Sequence, residues 1–169
     1  RRFRSGSLAR PSPQKRNDQS MEKISPTKFT PRCYAFIQNE DGAVLAVREF
    51  WSGVHLNKLP GGGQEAGEGM LECLNREIEE EFSSFSGPLN WIHIYTPTDA
   101  FVSRFRPEEQ LILNYFKAQQ LVVANQWVLQ TDENLLQMLW LPAVEESTSW
   151  FTLENDKAAF LAFLKTLDQ

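Results

Sequence analysis

Hydrophobic and polar residues alternate over several short stretches of the chain, which predicts β-strands with one apolar face each. The predicted strands cover residues 33–38, 43–50, 89–96, 110–123 and 137–142. Asp41-Gly42 separates the first two strands and is typical of a tight hairpin turn. The alternation is missing from residues 50–57, 58–69 and 97–109, which we interpret as an irregular connection and two loops.

Apolar residues recur at steps of three and four in two further stretches, which predicts amphipathic helices. The first helix spans residues 70–82, with an apolar stripe of Leu71, Leu74, Ile78 and Phe82. The second spans residues 152–169, with Thr152 or Asn155 as its N-cap. Its apolar side consists of Phe160, Leu161, Phe163, Leu164 and Leu167. Strands, one acidic helix, more strands and a final helix together predict an α+β fold.

The composition fits one globular domain. The 169 residues are 41% hydrophobic, which is enough for a core, while the length leaves little room for a second domain. No apolar run approaches the ~20 residues that a membrane-spanning helix needs. Cys33 and Cys73 lack metal-ligand spacing, so we interpret them as small buried thiols of a protein in a reducing compartment. These features predict a cytoplasmic protein that does not interact with membranes.

Charge is distributed unevenly along the chain. Residues 1–20 carry six basic side chains and one acidic side chain, so the overall net charge of −5 leaves −10 on residues 21–169. An acidic body argues against a binder of duplex nucleic acid, which needs a basic surface. The basic segment mixes Arg, Ser and Pro without apolar periodicity, and we interpret it as a disordered or vector-derived tail. A natural start at Met21 then gives a single domain over residues 21–169.

A glycine-rich turn, residues 59–69, leads into the predicted helix over residues 70–82, which carries a cluster of acids. On a helix, Glu77 lies one turn from Glu80 and Glu81, so these three carboxylates converge while Glu79 points elsewhere. Arg76 is placed to orient one of them. Carboxylate and carbonyl oxygens suit Mg²⁺ or Mn²⁺ better than zinc, and these ions often complete their coordination with substrate phosphates.

Two interpretations of this cluster remain at this point. A metal ion could polarise a phosphoryl group while a remaining carboxylate takes a proton from an attacking water. The alternative is a solvated acidic surface, because Glu-rich exposed helices are common.

The spacing of these residues resembles the signature sequence of the Nudix hydrolases. That sequence runs Gly, five residues, Glu, seven residues, Arg-Glu, an aliphatic residue, any residue, Glu-Glu. The matching positions are Gly62, Glu68, Arg76, Glu77, Ile78, Glu80 and Glu81. Seven specified positions over twenty residues make the pattern specific. It departs at Ser83-Ser84, where the family usually has Gly and an aliphatic residue.

The resemblance implies a compact α/β/α sandwich built on a mixed β-sheet. It also implies a pyrophosphohydrolase that uses Mg²⁺ or Mn²⁺ to cleave a nucleoside diphosphate linked to another group. Glu80, Glu81 and the backbone carbonyl of Gly61 would bind the metal ion, and Glu77 would be a further ligand or the general base. Arg76 would orient Glu77.

Two more features follow from the resemblance. Glu68 would hold the loop before the helix or bind the metal ion through water. An acid from a later loop often completes the metal site, and Glu133 is the candidate here. Weaker candidates are Asp132, Glu108 and Glu109.

The substrate is the least determined part of the prediction. Arg48, Lys58 and Arg104 are candidate phosphate ligands, and Phe101 is a candidate for stacking on a base, although ordinary surface cations and packed aromatics explain them as well. An ADP-ribose or nucleotide-sugar diphosphate and a nucleoside triphosphate rank nearly level. The alternatives are a catalytically inactive nucleotide-binding or regulatory module and a purely structural acidic-helix protein. A homodimer is left open.

Overall fold

The computed structural model describes residues 25–83, 87–130 and 133–168. Its strands are β1 (Lys28–Phe36), β2 (Val44–Trp51), β3 (Val54–Lys58), β4 (Gly61–Gly63), β5 (Phe82–Ser83), β6 (Trp91–Tyr95), β7 (Phe101–Val102), β8 (Glu109–Ala118), β9 (Val128–Leu129) and β10 (Leu135–Leu141). Its helices are α1 (Met70–Glu81) and α2 (Glu154–Lys165), with 3₁₀ helices at Ala124–Gln126 and Glu145–Trp150. Within the described residues, no helix is long and apolar enough to cross a bilayer.

The central sheet mixes parallel and antiparallel strands. Its strands follow the order β4, β1, β8, β6, and β7 adds a short pairing with β8. β1 and β8 are parallel from Lys28↔Glu109 to Phe36↔Lys117, whereas β4, β6 and β7 are antiparallel to their neighbours. The second half of β1 is buried on both faces, which explains its continuous apolar run.

Alternate residues of β1 contact the two helices. Cys33 packs in one core with Leu74 of α1, whereas Tyr34 and Phe36 pack in the other core with Phe163 of α2. The rings of Phe36 and Phe163 stack with centroids 4.5 Å apart. Each large side chain buried in this way contributes roughly 1.5–3 kcal/mol. A helix on each face of a mixed sheet is the predicted α/β/α sandwich, and that prediction is confirmed.

Both cysteines are free and fully buried, as the sequence predicted. Cys73 lies on α1, and its Sγ approaches the carbonyl oxygen of Gly62 at 3.9 Å. Burial raises the pKa of Cys73 to about 12. Because the thiolate is the reactive form, this residue acts as a small apolar side chain.

The chain between β2 and β3 forms a hairpin, where the sequence predicted an irregular connection. Trp51 pairs with Val54, and the turn residues Ser52 and Gly53 have φ angles of 47° and 82°. Two successive positive φ angles are the geometry that joins twisted antiparallel strands through two residues. The prediction was wrong because Ser-Gly is a weaker turn signal than Asp-Gly. With β10 this hairpin forms a three-stranded sheet in the order β10, β2, β3.

The turn predicted at Asp41-Gly42 is present, but its flanking strands do not continue as one hairpin. Gly42 has a φ of 79°, and the N–H of Asn39 donates to the carbonyl of Ala43 at 2.9 Å. β1 then joins the central sheet while β2 joins the three-stranded sheet. Turn chemistry predicts that the chain reverses at Asp41-Gly42. The division of β1 and β2 between two sheets depends instead on pairing with the distant strands β8 and β10.

Helix α1 matches the predicted span, with one change in its apolar stripe. Leu74, Ile78 and Phe82 are buried as predicted. Leu71 is 47% exposed, and Cys73 is buried instead. The helix ends where β5 begins, and β5 pairs with β9.

Helix α2 starts without the predicted cap. Its N-cap is Leu153, with no side-chain hydrogen bond, so neither Thr152 nor Asn155 has that role. The backbone there is extended, and Asn155 already lies inside the first turn with its side chain buried. The predicted apolar side divides into buried Phe160 and Phe163, partly buried Leu164, and exposed Leu161 and Leu167.

Three further expectations can be compared with the structure. The strand predicted over 110–123 ends at Ala118. The stretches predicted as loops contain the short strands β4 and β7. The basic tail, Met21 and Ser84 lie outside the described residues, so the predicted domain limits stay predictions.

A buried polar network joins α2 to the central sheet. Asp156 is 1% exposed, and its Oδ1 accepts hydrogen bonds from the hydroxyl of Tyr115 and from Nδ2 of Asn155, both at 3.1 Å. Burial raises the pKa of Asp156 to about 6, and the hydrogen bond from Tyr115 only partly opposes this shift. The folded protein therefore binds a proton at this carboxyl more readily than the unfolded chain does.

This shift predicts that the metal-free protein loses stability as the pH rises. The pKa of Asp156 is higher in the folded state than in the unfolded state, so the free energy of unfolding falls between about pH 4 and pH 6 and stays lower above that window. Between pH 4.5 and pH 7.5 we expect Asp156 to contribute a fall of about 2 kcal/mol. Urea unfolding at the two pH values measures this fall in the free energy of unfolding. Asp156→Asn should remove this part of the slope, while Asp99→Asn, at an exposed position, should leave it unchanged. An Asp156→Asn slope equal to that of the wild type would contradict the assignment.

Candidate metal and substrate site

At Gly61 and Gly62 the glycine-rich turn lies so close to its neighbours that a side chain would not fit. β4 pairs antiparallel with β1, so that Gly61 lies opposite Tyr34 and Gly62 opposite Cys33. Gly61 has a φ of 125°, and a Cβ on it would lie 2.2 Å from the carbonyl oxygen of Cys33. A Cβ on Gly62 would lie 2.4 Å from the carboxylate of Glu77. Because these two residues have no side chain, the turn can approach the carboxylates of α1 closely.

Arg76 binds three carboxylates at once. Its Nε donates to Glu68 at 2.7 Å. One terminal nitrogen donates to Glu77 at 3.0 Å and to Glu80 at 3.3 Å, and the other donates to the carbonyl of Gly63 at 2.9 Å. The hydrogen bonds from Arg76 lower the pKa of Glu68 to about 2. A planar fork of donors therefore fixes these acids relative to one another.

Lys58 lies between two further acids, with its side chain buried. Its Nζ is 3.0 Å from Glu49 Oε2 and 3.7 Å from Glu81 Oε1, and it donates to the carbonyl of Gly61 at 3.3 Å. Burial raises the pKa of Glu81 to about 7, against the opposing effect of Lys58. Burial also acts to lower the pKa of Lys58, but Glu81 and Glu49 outweigh it and raise that pKa. Lys58 therefore stays cationic, while Glu81 titrates near neutral pH.

The predicted metal ligands are not gathered around one point. Among the residues that the structure describes, no three His, Cys, Asp or Glu side chains lie close enough together to hold an ion. Arg76 draws three of the acids to one side of α1, whereas Glu81 contacts Lys58. The donors are nevertheless carboxylate oxygens and the Gly61 carbonyl, which Mg²⁺ and Mn²⁺ prefer. By donor chemistry, the residues present fit such an ion.

A cavity of about 260 Å³ opens beside Lys58. Three of the four residues predicted to bind substrate line it, namely Lys58, Phe101 and Arg104. Arg48 lies outside it, because its guanidinium donates to Asn57 at 2.9 Å and to Gln137 at 3.4 Å. Part of the stretch 97–109, which the sequence predicted as a loop, thus forms one wall of the cavity.

Sequence reasoning missed several residues of the cavity wall, among them Arg32, Tyr34, Glu49, Trp51 and Arg106. Arg32 lies over the ring of Tyr34 at 5.6 Å and donates to its hydroxyl at 2.6 Å. β1 brings both residues to the cavity because it pairs with the glycine-rich turn. No local signal in the sequence could have indicated them, since the pairing joins segments about thirty residues apart.

The structure places the candidate additional acids differently. Glu133 is exposed before β10 and does not line the cavity, so its role as a metal ligand stays a prediction. Asp132 lies outside the described residues, and Glu108 is exposed. Glu109 is buried in the cavity wall, where its Oε1 is 3.1 Å from Nζ of Lys28.

One family model and several solved structures match this chain. A family model described as NUDIX domain matches residues 28–162. The MutT protein from Methanosarcina mazei Go1 superposes with a TM-score of 0.65 at 21% identity, over 86% of this chain and 99% of that one. The E. coli dihydroneopterin triphosphate pyrophosphohydrolase gives a TM-score of 0.65 at 17% identity, over 82% and 99%. A MutT NUDIX hydrolase from Burkholderia pseudomallei gives 0.60 at 14% identity, over 80% and 98%.

A search of curated proteins gives no significant match. The identities to the solved structures are low, so these structures support the fold, whereas the family model covers most of the chain. Nudix proteins act on small-molecule nucleotides and generally use divalent metal ions. On the match over residues 28–162, the chain belongs to the Nudix hydrolase family.

Proposed function

We propose that this protein is a Mg²⁺-dependent pyrophosphohydrolase that cleaves a nucleoside diphosphate linked to another group. The observation that carries the proposal is the position of Lys58, which contacts Gly61 and Glu81 and also lines the cavity. Lys58 therefore connects Glu81 of α1 to a cavity whose walls carry cationic side chains. Cleavage between two phosphates needs both parts, because the metal ion binds oxygen donors and the phosphates bind cationic side chains.

In the proposed mechanism each residue has one task. Glu80, Glu81 and the Gly61 carbonyl would hold Mg²⁺, and a bound ion would supply positive charge to polarise the phosphoryl group. Glu77 takes the proton of the attacking water. Arg76 holds Glu77 through a hydrogen bond of 3.0 Å, so that this base is already oriented before substrate binds.

Glu68 has a supporting task in this proposal. It accepts two hydrogen bonds from Arg76, at 2.7 Å and 3.0 Å, and one from the N–H of Glu65 at 2.9 Å. These contacts tie the loop before α1 to the guanidinium that orients the base. Glu68 would therefore act by positioning Arg76 rather than by touching the substrate.

The cavity walls favour a substrate with several phosphates and an aromatic group. Its cationic residues are Arg32, Lys58, Arg104 and Arg106, and its aromatic residues are Tyr34, Trp51, Phe101 and Phe105. Guanidinium groups bind phosphates through paired hydrogen bonds, and aromatic rings stack on bases. ADP-ribose, nucleotide sugars and nucleoside triphosphates all have these features. Dihydroneopterin triphosphate belongs in the same class, as the name of the E. coli structure indicates for that protein.

A substrate panel tests the proposal. The protein is incubated with ADP-ribose, a nucleotide sugar, the common nucleoside triphosphates and dihydroneopterin triphosphate, with Mg²⁺ or with EDTA, and the products are separated by anion exchange. We expect at least one compound to be cleaved between two phosphates in Mg²⁺ and none to be cleaved in EDTA. Cleavage at a phosphate monoester, or equal rates in EDTA, would contradict the proposal.

The same panel separates the alternatives. A protein that binds a nucleotide in equilibrium dialysis but cleaves no compound would be a binding module. A protein that binds no nucleotide, and whose melting temperature Mg²⁺ does not raise, would use its acidic helix for structure alone.

A further inference from the structure

A buried ammonium group contacts two of the groups that the proposed function assigns to the metal ion. Nζ of Lys58 donates to the carbonyl of Gly61 at 3.3 Å and lies 3.7 Å from Glu81 Oε1. The N–H of Gly61 donates to the other oxygen of Glu81 at 3.3 Å, so the turn and the helix share one oxygen-lined position. The lysine side chain is only 8% exposed, so water screens its charge little.

We propose that Lys58 is a displaceable internal cation that weakens metal binding and yields Gly61 and Glu81 to the metal ion when it arrives. The inference rests on the proposed function, because it concerns the ligands of that ion. It gives Lys58 a role other than the phosphate binding that the sequence suggested. Two cations next to Glu81 repel each other, and the repulsion is strong where the surroundings are buried.

Glu49 makes the displacement feasible. Its Oε2 is 3.0 Å from Nζ of Lys58, closer than the oxygen of Glu81. Glu49 lies on β2 and Glu81 on α1, so the ammonium has partners on two different elements. A long, flexible lysine side chain can therefore release Glu81 and keep an ion pair with Glu49.

Lys58 also offsets the buried negative charge of Glu81. Glu81 is largely buried, and an unpaired buried carboxylate is unfavourable. The ammonium partly neutralises it in the metal-free protein. The same contact then competes with the metal ion, so metal affinity depends on the balance of Lys58 between Glu81 and Glu49.

Titration of the protein with Mn²⁺, followed by the electron paramagnetic resonance signal of the free ion, tests this balance without any measurement of activity. Lys58→Met removes the competing charge and should bind Mn²⁺ at least about tenfold more tightly than the wild type. Glu49→Gln removes the alternative partner and should bind about threefold or more weakly. Lys157→Met removes the same charge from a lysine that pairs with Glu154, and should match the wild type.

Tighter Mn²⁺ binding by Lys58→Met together with weaker binding by Glu49→Gln supports the proposal. If Lys58 had only a structural role, both variants would bind Mn²⁺ more weakly. Unchanged or weaker Mn²⁺ binding by folded Lys58→Met overturns it. If Lys58→Met does not fold, Glu49→Gln decides, and binding equal to or tighter than that of the wild type overturns the proposal. If the wild type binds no Mn²⁺, the metal-dependent function fails and this inference fails with it. If the wild type binds Mn²⁺ but the two variants do not change its affinity in opposite directions, this inference fails and the proposed metal-dependent function stands.

Discussion

Replacement of Glu81 by Gln is expected to lower kcat/KM by about a thousandfold or more. The metal ion contributes several kcal/mol to stabilisation of the transition state, and each 1.36 kcal/mol is tenfold in rate. Glu81 is the buried carboxylate next to the Gly61 carbonyl, so the amide removes one charged ligand from the proposed ion. The rate is measured on the best substrate of the panel in Mg²⁺.

Two controls separate this loss from a folding defect. Glu79→Gln lies on the same helix, has an exposed side chain and should keep the wild-type rate. Glu81→Gln should unfold in urea at the wild-type midpoint or above it at pH 8. Burial holds the pKa of Glu81 near 7, so ionisation of this carboxyl is unfavourable in the folded state at that pH. Lys58 keeps its 3.0 Å contact with Glu49 in the variant. Full activity in Glu81→Gln, or equal losses in both variants, would contradict the proposed role.

Gly61→Ala is expected to prevent folding or to lower the free energy of unfolding by more than about 4 kcal/mol. A Cβ on Gly61 would lie 2.2 Å from the carbonyl oxygen of Cys33 and 2.9 Å from the Cα of Tyr34. Both neighbours are backbone atoms of the buried strand β1, so no side chain can rotate to make room. The φ of 125° is also unfavourable for alanine. Circular dichroism and urea unfolding measure the effect.

Gly53→Ala is the matched control for the positive φ. Gly53 has a φ of 82°, but nothing lies within 4 Å of its added Cβ. This variant should lose only about 1–2 kcal/mol, the penalty of a left-handed backbone conformation. Similar losses in Gly61→Ala and Gly53→Ala would show that the close approach of β4 to β1 contributes nothing, and would contradict the structure of the turn.

The sequence predicted those parts of the fold that depend on local chemistry. The period of α1 is local, so its span was predicted correctly, and so was the turn at Asp41-Gly42. The partners of β1 and β2 are distant in the chain, so their assignment to two different sheets could not be read from the sequence. Leu71 was misassigned because a regular stripe does not show where the neighbouring sheet ends.

The contacts of the candidate site likewise include local ones, which could be predicted from the sequence, and distant ones, which could not. Arg76 and the acids of α1 are neighbours on one helix, so their proximity could be predicted from spacing alone. Glu49 reaches Lys58 because the hairpin pairs β2 with β3, a pairing that the sequence pattern did not indicate. The contact of Lys58 with Glu81 depends in addition on how α1 packs on the glycine-rich turn. The residues beside the proposed ion were therefore predicted in part, and Lys58 was predicted as a phosphate ligand but not as a cation next to Glu81.

Diffraction from crystals grown with Mn²⁺, measured at a wavelength where the ion gives an anomalous signal, tests the central claim most directly. We predict an anomalous peak between the carbonyl of Gly61 and the carboxylates of α1, with the ammonium of Lys58 turned toward Glu49. A peak elsewhere, or no peak in crystals of protein that cleaves nucleotides in solution, would contradict a metal site built from the glycine-rich turn and the acidic helix.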